Sequence, residues 1–378
     1  MITITQKPSE TSFAGNPVLL KVSSGLKDKT FLKACAKVVL NIYQRGELLS
    51  SNVRTLSIPT NGGREEVTFD LSDLLLSALS QVSVERTKAF SVGSSPTISS
   101  GYVRYTVQIW DEYLDEYSEV VSTEDTASQS TGVCFAIPGA YTDMQRLLRP
   151  EDTESYLGTL KLLSSKPDFE VIPLGGGIVQ SFYSKSDAKL DFYLDRTSGT
   201  SPVTSASLYE NEVAWHKVDV PESVVQGLHS LTVAPQGVAP TFFYVMNPIP
   251  FTHYFEFVNR LGAVESIYTF GRATRKRKLT QERQVVKYRT SFRPTSRYVK
   301  RTLQEEEAIA LSTGLVSREW AQWFISEFFT AEKVWMYSEE ANDMIPVVVE
   351  CEEDMDVFSE SAAEVLDLPF TVVKCING

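Results

Sequence analysis

The stretch YVRYTVQI, residues Tyr102–Ile109, alternates apolar and polar side chains without interruption. Its apolar members are Val103, Tyr105, Val107 and Ile109, and its polar members are Arg104, Thr106 and Gln108. Successive side chains of a strand point to opposite faces of a sheet, so we expect one set in the core and the other in solvent. The stretch therefore predicts a half-buried β-strand, and it is the clearest strand signal in the chain.

Shorter strand patterns precede this stretch. Apolar and β-branched runs bounded by turn formers occur at Lys37–Tyr43, Val53–Ile58 and Val67–Leu71. This spacing is typical of a β-sandwich and not of alternating β and α units. Asp70 or Ser72 can cap one short helix that continues to Leu79. We predict a mainly β (α+β) fold with β-sandwich-type domains and a few short helices.

The middle of the chain mixes helix and strand patterns. Short helices are predicted at Tyr141–Leu148 and Ser155–Leu163. Strands are predicted at Phe169–Pro173, Ile178–Tyr183, Lys189–Leu194, Val213–Val220 and Thr241–Met246. Stretches rich in Ser, Thr and Gly predict loops at Ser91–Gly101 and Ser122–Gly132, and the second of these predicts a domain boundary.

The last third begins with a hairpin signal, His253–Val258 and Ala263–Phe270 around the turn Asn259–Gly262. Further on, Ser317 is a good N-cap for one amphipathic helix that ends near Thr330. Its apolar face consists of Trp320, Trp323, Phe324 and Phe328. Strands are predicted at Ile345–Val349 and Phe370–Val373. The predicted domains are residues 1–135, 136–250 and 251–378, the last being an assembly domain.

Charge is distributed unevenly in the last domain. The chain carries a net charge of −12, yet residues 272–301 hold twelve Lys or Arg against one acid, Glu282. Residues 331–378 hold twelve acids against two lysines. The basic residues of interest are Arg272, Arg275, Lys276, Arg277, Lys278, Arg283, Lys287 and Arg289, and the acidic ones are Glu350, Glu352, Glu353, Asp354 and Asp356.

Three explanations of this basic segment compete. It can be a solvated face, although twelve like charges repel one another. It can bind nucleic acid through Arg275–Lys278, although the rest of the chain would repel a polyanion. The explanation we favour is an inter-subunit contact, in which the basic segment of one copy meets the acidic segment of its neighbour and closes a ring. Nucleic acid is therefore not an expected partner.

Enzymatic chemistry is not indicated. The three histidines, His216, His229 and His253, lack a second ligand at metal spacing, and the glycines of Leu174–Ile178 lack the Lys and Ser/Thr of a phosphate loop. We expect no enzyme activity, no catalytic residues and no cofactor. Two acidic clusters, Asp111–Glu119 and Glu350–Asp356, do not follow the EF-hand pattern, and calcium binding by them stays open.

Location and redox state follow from simpler features. The four cysteines are scattered without a Cys-x-x-Cys pair, so we expect free thiols. The N-terminal MITITQKPSE has no signal-peptide pattern, and no stretch approaches the ~18 apolar residues of a membrane helix. We expect a protein without a membrane span that is made in a cytoplasm.

The C-terminal third resembles a known group of proteins. Phe255–Glu265 and Tyr268–Gly271, followed by Thr313–Ser317, the Trp320/Trp323 helix and Lys333–Met336, are similar to a segment in structural proteins of tailed phages and prophages of Bacteroidetes. The N-terminal Ser12–Val18 is similar more loosely, and residues 136–250 depart most. The resemblance carries no catalytic residues.

This resemblance implies a tail-tip or baseplate component, similar to distal tail proteins, in the tail of a virion assembled in the cytoplasm of a host bacterium. Its partners would be copies of itself in a ring and other phage tail proteins. The alternative function, from a different class, is a carbohydrate- or receptor-binding β-sandwich protein with aromatic side chains on exposed loops. A host-surface glycan would then be a further partner.

Overall fold

Strands dominate the computed structural model of the chain, which confirms the mainly β fold class with 59% strand and 11% helix. The structure describes residues 2–23, 32–44, 46–58, 66–81, 98–99, 101–115, 117–140, 150–196, 201–235, 237–247, 249–290, 293–351 and 365–376.

The N-terminal strands form a two-sheet sandwich. Its elements are β1 (Thr3–Gln6), β2 (Thr11–Phe13), β3 (Leu19–Ser23), β4 (Leu32–Gln44), β5 (Glu47–Ser57), β6 (Glu66–Asp70), α1 (Ser72–Gln81), β7 (Ile98–Ser99), β8 (Val103–Leu114), β9 (Val120–Ser122), α2 (Glu124–Ala127) and β10 (Gln129–Ile137). One sheet has the order β1-β3-β6, and the other has the order β2-β10-β8-β4-β5 with β9 on β8. The pairing of β2 with β10 is parallel.

The alternating stretch is the centre of this sandwich. The side chains of Val103, Tyr105, Val107 and Ile109 are each 0% exposed. They pack in one core with the apolar faces of β3, β4, β6 and α1. The predicted half-buried strand is therefore confirmed. The predicted short helix is confirmed as α1, and the Asp70 carboxylate accepts a hydrogen bond from the Ser72 backbone N–H at 3.0 Å.

The loop predicted at Ser122–Gly132 is wrong, whereas the domain boundary predicted there stays a prediction. This stretch contains α2 and the first residues of β10, which pairs with β8 from Gln129 opposite Ile109. Gly132 has φ +82° and lies at a register shift in the pairing of β10 with β8. This glycine therefore forms a β-bulge and not a loop. In the first Ser-rich stretch, Ile98 and Ser99 form β7, which pairs with β16 of the middle region.

The middle region contains two further sheets. Its elements are α3 (Pro150–Leu157), β11 (Leu160–Leu162), β12 (Glu170–Pro173), β13 (Gly177–Ser184), β14 (Ala188–Leu194), β15 (Thr204–Leu208), β16 (Glu212–Asp219), β17 (Gly227–Ala234) and β18 (Thr241–Met246). The sheet orders are β11-β13-β16-β7 and β12-β18-β17-β14-β15. A core that includes Phe182, Phe192 and Phe243 lies between them.

All five strands predicted in the middle region are confirmed, whereas β11, β15 and β17 are additional. The helix predicted at Ser155–Leu163 is wrong in position. It ends at Leu157, because Gly158 takes φ +58°, and Leu160–Leu162 then pairs with β13. The helix predicted at Tyr141–Leu148 lies outside the described residues.

The C-terminal region forms one seven-stranded sheet. Its elements are β19 (His253–Val258), β20 (Val264–Thr269), β21 (Thr274–Thr290), β22 (Arg293–Ser317), α4 (Arg318–Trp323), a π-helical turn (Phe324–Phe328), β23 (Val334–Ser338), β24 (Asp343–Cys351) and β25 (Val365–Ile376). The strand order is β20-β19-β23-β24-β25-β22-β21. The predicted hairpin and both predicted terminal strands are confirmed.

The amphipathic helix covers one face of this sheet. The Ser317 hydroxyl accepts a hydrogen bond from the Trp320 backbone N–H at 3.3 Å, which confirms the predicted N-cap. The Phe328 ring packs against Phe255 and Phe257, each at 5.4 Å between ring centroids, and against Phe370 at 5.7 Å. These edge-on aromatic contacts fix the helix to strands from both ends of the region.

Candidate assembly surface

The predicted basic segment forms one strand of a long hairpin. β21 pairs with β22 along its whole length. On the other side of β22, the described part of β25 reaches only to Glu305, which lies opposite Ile376. Among the described residues, 281–290 and 293–304 therefore form a two-stranded ribbon beyond the seven-stranded part of the sheet. At ~3.3 Å per residue the ribbon is about 35 Å long.

The ribbon is strongly basic. Three of the predicted contact residues lie in its β21 half, namely Arg283, Lys287 and Arg289. The β22 half adds Arg293, Arg297, Lys300 and Arg301. The register puts Arg283 directly opposite Lys300. The ribbon's one acid is Glu282, opposite Arg301.

The other predicted basic contact residues lie in two other parts of the structure. Arg275, Lys276, Arg277 and Lys278 lie at the base of the hairpin, opposite residues 306–309 of β22. There the register pairs Arg277 with Glu307, and the Arg275 guanidinium forms a 3.0 Å ion pair with Glu340. Arg272 lies before the hairpin, with its guanidinium 5.9 Å from the centre of the Phe251 ring.

The structure therefore separates residues that the sequence pattern treated as one set. The base of the hairpin lies beside acids of its own chain, whereas Arg283, Lys287 and Arg289 lie in the ribbon. The acids Glu305–Glu307, which follow the basic run in the sequence, lie opposite Arg277–Leu279. A hairpin turn near residues 291–292 would have brought them opposite the base, and that is the signal that sequence reasoning missed.

Only one of the predicted acidic contact residues is described. Glu350 is exposed in β24, opposite Thr371 of β25. Through Thr371 and Ala310 it lies three strands from Thr274, or about 14 Å at ~4.8 Å per strand. Glu352, Glu353, Asp354 and Asp356 lie outside the described residues. Within one copy, Glu350 is thus near the base of the hairpin and far from the ribbon.

A second structural site, which we call the glycine junction, lies where Gly139 meets Gly262. A Cβ atom added at Gly139 would lie 2.1 Å from the carbonyl carbon of Leu261, and one at Gly262 would lie 2.4 Å from that of Pro138. Both glycines have positive φ, +92° and +74°. The Ala140 N–H donates to the Arg260 carbonyl at 2.7 Å, so the two backbones are also hydrogen-bonded.

The glycine junction joins segments that are distant in sequence. The Gly15 N–H, from the stretch after β2, donates to the Gly139 carbonyl at 2.8 Å. Two stretches that carry the resemblance, Ser12–Val18 and Phe255–Glu265, therefore meet here with the end of β10. Sequence reasoning found each stretch but not their contact.

Buried charges lie next to the junction, between the middle and C-terminal sheets. The Lys166 ammonium donates to Glu170 at 2.8 Å and also to the Ser266 carbonyl. Glu265, on β20, is 1% exposed and lies near the side chains of Ser164 and Asn259. Burial raises the pKa of Glu265 to about 7, and the nearby Glu327 carboxylate adds to the increase.

His216, the glycine-rich stretch Leu174–Ile178 and three of the cysteines are described. The His216 ring stacks on Phe192 at 5.0 Å, and burial lowers its pKa to about 4. The glycine-rich stretch is a tight turn in which the Gly176 N–H donates to the Pro173 carbonyl at 2.8 Å. Cys35, Cys134 and Cys351 are free thiols, as expected, and the side chain of Cys375 is not described.

The first acidic cluster stabilises its own loop. The Asp115 carboxylate accepts from the backbone N–H groups of Tyr117 and Glu119 at 2.9 Å each, and Glu112 pairs with Lys37 at 2.8 Å. Asp111 is buried, and Glu116 lies outside the described residues. Across the described ranges, no group of three His, Cys, Asp or Glu is arranged to hold a metal ion. No helix in those ranges is long and apolar enough to span a membrane.

Comparisons with known proteins give only distant likenesses. No protein-family profile and no curated protein matches the chain. The calcium-binding domain CBD12 of CALX1.1 is 8% identical over 64% of this chain and 81% of its own, at a TM-score of 0.20. Trypsin-activated alpha-2-macroglobulin from Escherichia coli is 11% identical over 98% of this chain and 21% of its own, at 0.21. Dpr2 Ig1-Ig2, in a complex with DIP-Theta, is 9% identical over 65% of this chain and 99% of its own, at 0.17. Likenesses this weak carry no argument about function, which has to be argued from the residues of the chain itself.

Proposed function

We propose that this protein is a structural component of a phage tail or baseplate, in which copies assemble into a ring through the basic ribbon. The observation that carries the proposal is the ribbon itself, residues 281–290 and 293–304, which projects from the sheet with seven basic residues and one acid. The resemblance of the C-terminal third to phage tail proteins supplies the biological setting.

The ribbon needs a partner on physical grounds. A two-stranded hairpin is at best marginally stable in water, and a sequence with seven basic residues against one acid does not balance its own charge. An acidic surface would supply the missing countercharge. The rest of the chain can offer one, because the net charge of −12 includes all the basic residues of the ribbon.

A second copy is the partner that fits this arrangement. The contact would join two different surfaces, the ribbon of one copy and an acidic face of the next. Such a heterologous contact closes into a ring when the rotation between copies allows it. The base of the hairpin pairs with acids of its own chain, so we assign the inter-subunit contact mainly to Arg283, Lys287 and Arg289. The acidic segment Glu350–Asp356 is the proposed receiving surface.

The first test removes the charge of the ribbon. In light scattering at low salt, the unaltered protein is expected to form particles of several copies that become smaller as ionic strength rises from about 0.05 to 0.5 M, because salt screens exposed charges. The triple variant Arg283→Gln, Lys287→Gln and Arg289→Gln is expected to be monomeric at concentrations where the unaltered protein assembles.

The matched control removes three charges elsewhere. Lys7, Arg54 and Lys189 are exposed and lie outside the hairpin, so their joint replacement by Gln should leave the particle size unchanged. Both triple variants should retain the circular dichroism spectrum of the unaltered protein. An unaltered protein that is monomeric at every concentration, or a ribbon variant that assembles like the control, would contradict the proposal.

A further inference from the structure

The solvent-facing side of the sheet β12-β18-β17-β14-β15 carries a group of exposed aromatic side chains. Phe242 and Tyr244 alternate with buried residues along β18, and Leu228 of β17 lies directly opposite Tyr244. Phe169, just before β12, places its ring 6.2 Å from Phe242 and 6.1 Å from Tyr244. Phe169, Tyr244 and Leu228 are 52%, 44% and 50% exposed. We call Phe169, Leu228, Phe242 and Tyr244 the aromatic platform.

Phe169 is held in a conformation that a bulky residue rarely takes. Its φ is +69°, in the left-handed region that favours glycine. The Phe169 N–H donates to the Phe242 carbonyl at 2.7 Å, and the Asp168 carboxylate accepts from the Phe242 N–H at 3.2 Å. The Trp320 indole N–H donates to the Asp168 carbonyl at 2.9 Å. Three hydrogen bonds from two regions of the chain thus maintain a strained backbone with an exposed ring, an arrangement that is concentrated at ligand sites.

Polar groups accompany the platform on the same sheet face. Ser230 lies opposite Phe242 on β17, and Thr232 follows on the same side of that strand. On the next strand, the Asp191 carboxylate accepts a hydrogen bond from the Ser205 hydroxyl at 2.5 Å. The face therefore combines aromatic rings with hydroxyl groups and a carboxylate, which can donate to and accept from a ligand.

The charged groups beside the platform compensate one another. The Lys189 ammonium lies 3.4 Å from the Asp191 carboxylate, and the Asp195 carboxylate lies 2.5 Å from the His229 ring. The Arg196 guanidinium covers the neutral Tyr193 ring at 4.5 Å, and the Asp168 carboxylate beside Phe169 balances its charge in the sum over the face. A face with balanced charge gives no electrostatic advantage to a polyanion or to the basic ribbon of another copy. Its complement is an uncharged ligand with both apolar and hydroxyl surfaces.

We propose that the aromatic platform binds a neutral oligosaccharide. A sugar ring has an apolar C–H face, which can stack on Phe169 and Tyr244, and a rim of hydroxyl groups, which can hydrogen-bond to Ser230. Asp191 lies opposite Ala234, four residues beyond Ser230, so further sugar units of an oligosaccharide would reach Thr232 and Asp191. Binding sites generally combine aromatic walls with a few polar groups in this way. The site is separate from the ribbon, and it does not depend on the proposed ring.

The test begins with an array of immobilised neutral oligosaccharides and their uronic-acid-containing counterparts. The unaltered protein is expected to bind a subset of the neutral glycans, and calorimetry with the strongest of them in solution then gives the affinity. The variant Phe169→Gly removes the ring and suits the backbone, because glycine takes positive φ without strain. We expect an affinity at least about tenfold lower, with a melting temperature that is not reduced.

Tyr117→Ala is the matched control, since Tyr117 is 78% exposed and lies in the β8–β9 turn of the N-terminal sandwich. It should bind like the unaltered protein. An array without bound glycan, a preference for the acidic glycans, or full affinity in Phe169→Gly would overturn the proposal. If Phe169→Gly instead changes the particle size while no glycan binds, the platform is a contact between copies and the proposal is likewise overturned. None of these outcomes bears on the charge of the ribbon.

Discussion

A Gly139→Ala variant is expected to lose more than about 4 kcal/mol of folding free energy, or to fail to fold. The added Cβ would lie 2.1 Å from the carbonyl carbon of Leu261 and 2.3 Å from the backbone nitrogen of Gly262. Neither backbone can move away freely, because the Ala140 N–H is hydrogen-bonded to the Arg260 carbonyl. Urea unfolding followed by circular dichroism measures the loss.

A Gly132→Ala variant distinguishes the cost of the steric clash from the cost of a left-handed backbone conformation. Gly132 has a similar φ of +82°, but a Cβ there would meet nothing within 4 Å. Its replacement should therefore cost only about 1 kcal/mol, the expense of placing an L-residue in the left-handed region. Equal losses in the two variants would show that the close approach of Gly139 to Leu261 contributes nothing.

The second large effect is a dependence of stability on pH that is centred on Glu265. Burial raises the pKa of this carboxyl from 4.5 to about 7, so between these values the folded state binds a proton that the unfolded state has released. The stability contribution is fully present below about pH 4.5 and is lost as the pH rises to about 7. The shift corresponds to roughly 3 kcal/mol at ~1.36 kcal/mol per pH unit.

Glu265→Gln isolates this contribution, since glutamine resembles the protonated carboxyl. The variant and the unaltered protein should have equal unfolding free energies near pH 4.5, and the variant should be more stable by up to about 3 kcal/mol at pH 8. The other charges around this group, Lys166, Glu170 and Glu327, are unchanged in both proteins. Glu119→Gln, at an exposed position, should reproduce the unaltered profile. A difference between Glu265→Gln and the unaltered protein that does not vary with pH would refute the assignment.

Strands and helices were predictable where one local signal was strong. The strict alternation of Tyr102–Ile109 reflects burial of one face, and the spacing of Trp320 and Phe324 reflects one buried helix face. β15 and β17 were missed because their sequences, TSASL and GLHSLTVA, are rich in Ser, Thr and Gly. Those residues are also frequent in loops, and sheet pairing overrides the local preference here.

The candidate site was predictable in position but not in organisation. The density of Lys and Arg identifies the basic segment, and the alternation around Val285 indicates an extended strand, which β21 confirms. The division into base and ribbon depends on where β25 stops pairing, and that is a long-range property. The glycine junction likewise cannot be predicted from local sequence, because each of Gly139 and Gly262 is required by the close approach of the other segment.

The parallel pairing of β2 with β10 also sets an order of events during synthesis. Phe13 leaves the ribosome early, yet its partner in the sheet is Ile137. At about 5–20 residues per second, the segment Thr11–Phe13 waits on the order of ten seconds before its partner strand exists. Such non-local pairing is slow to form, because a long loop must close first. The sheet centred on β8 can therefore assemble strand by strand as β4, β5, β8 and β10 emerge, while its β2 edge closes last.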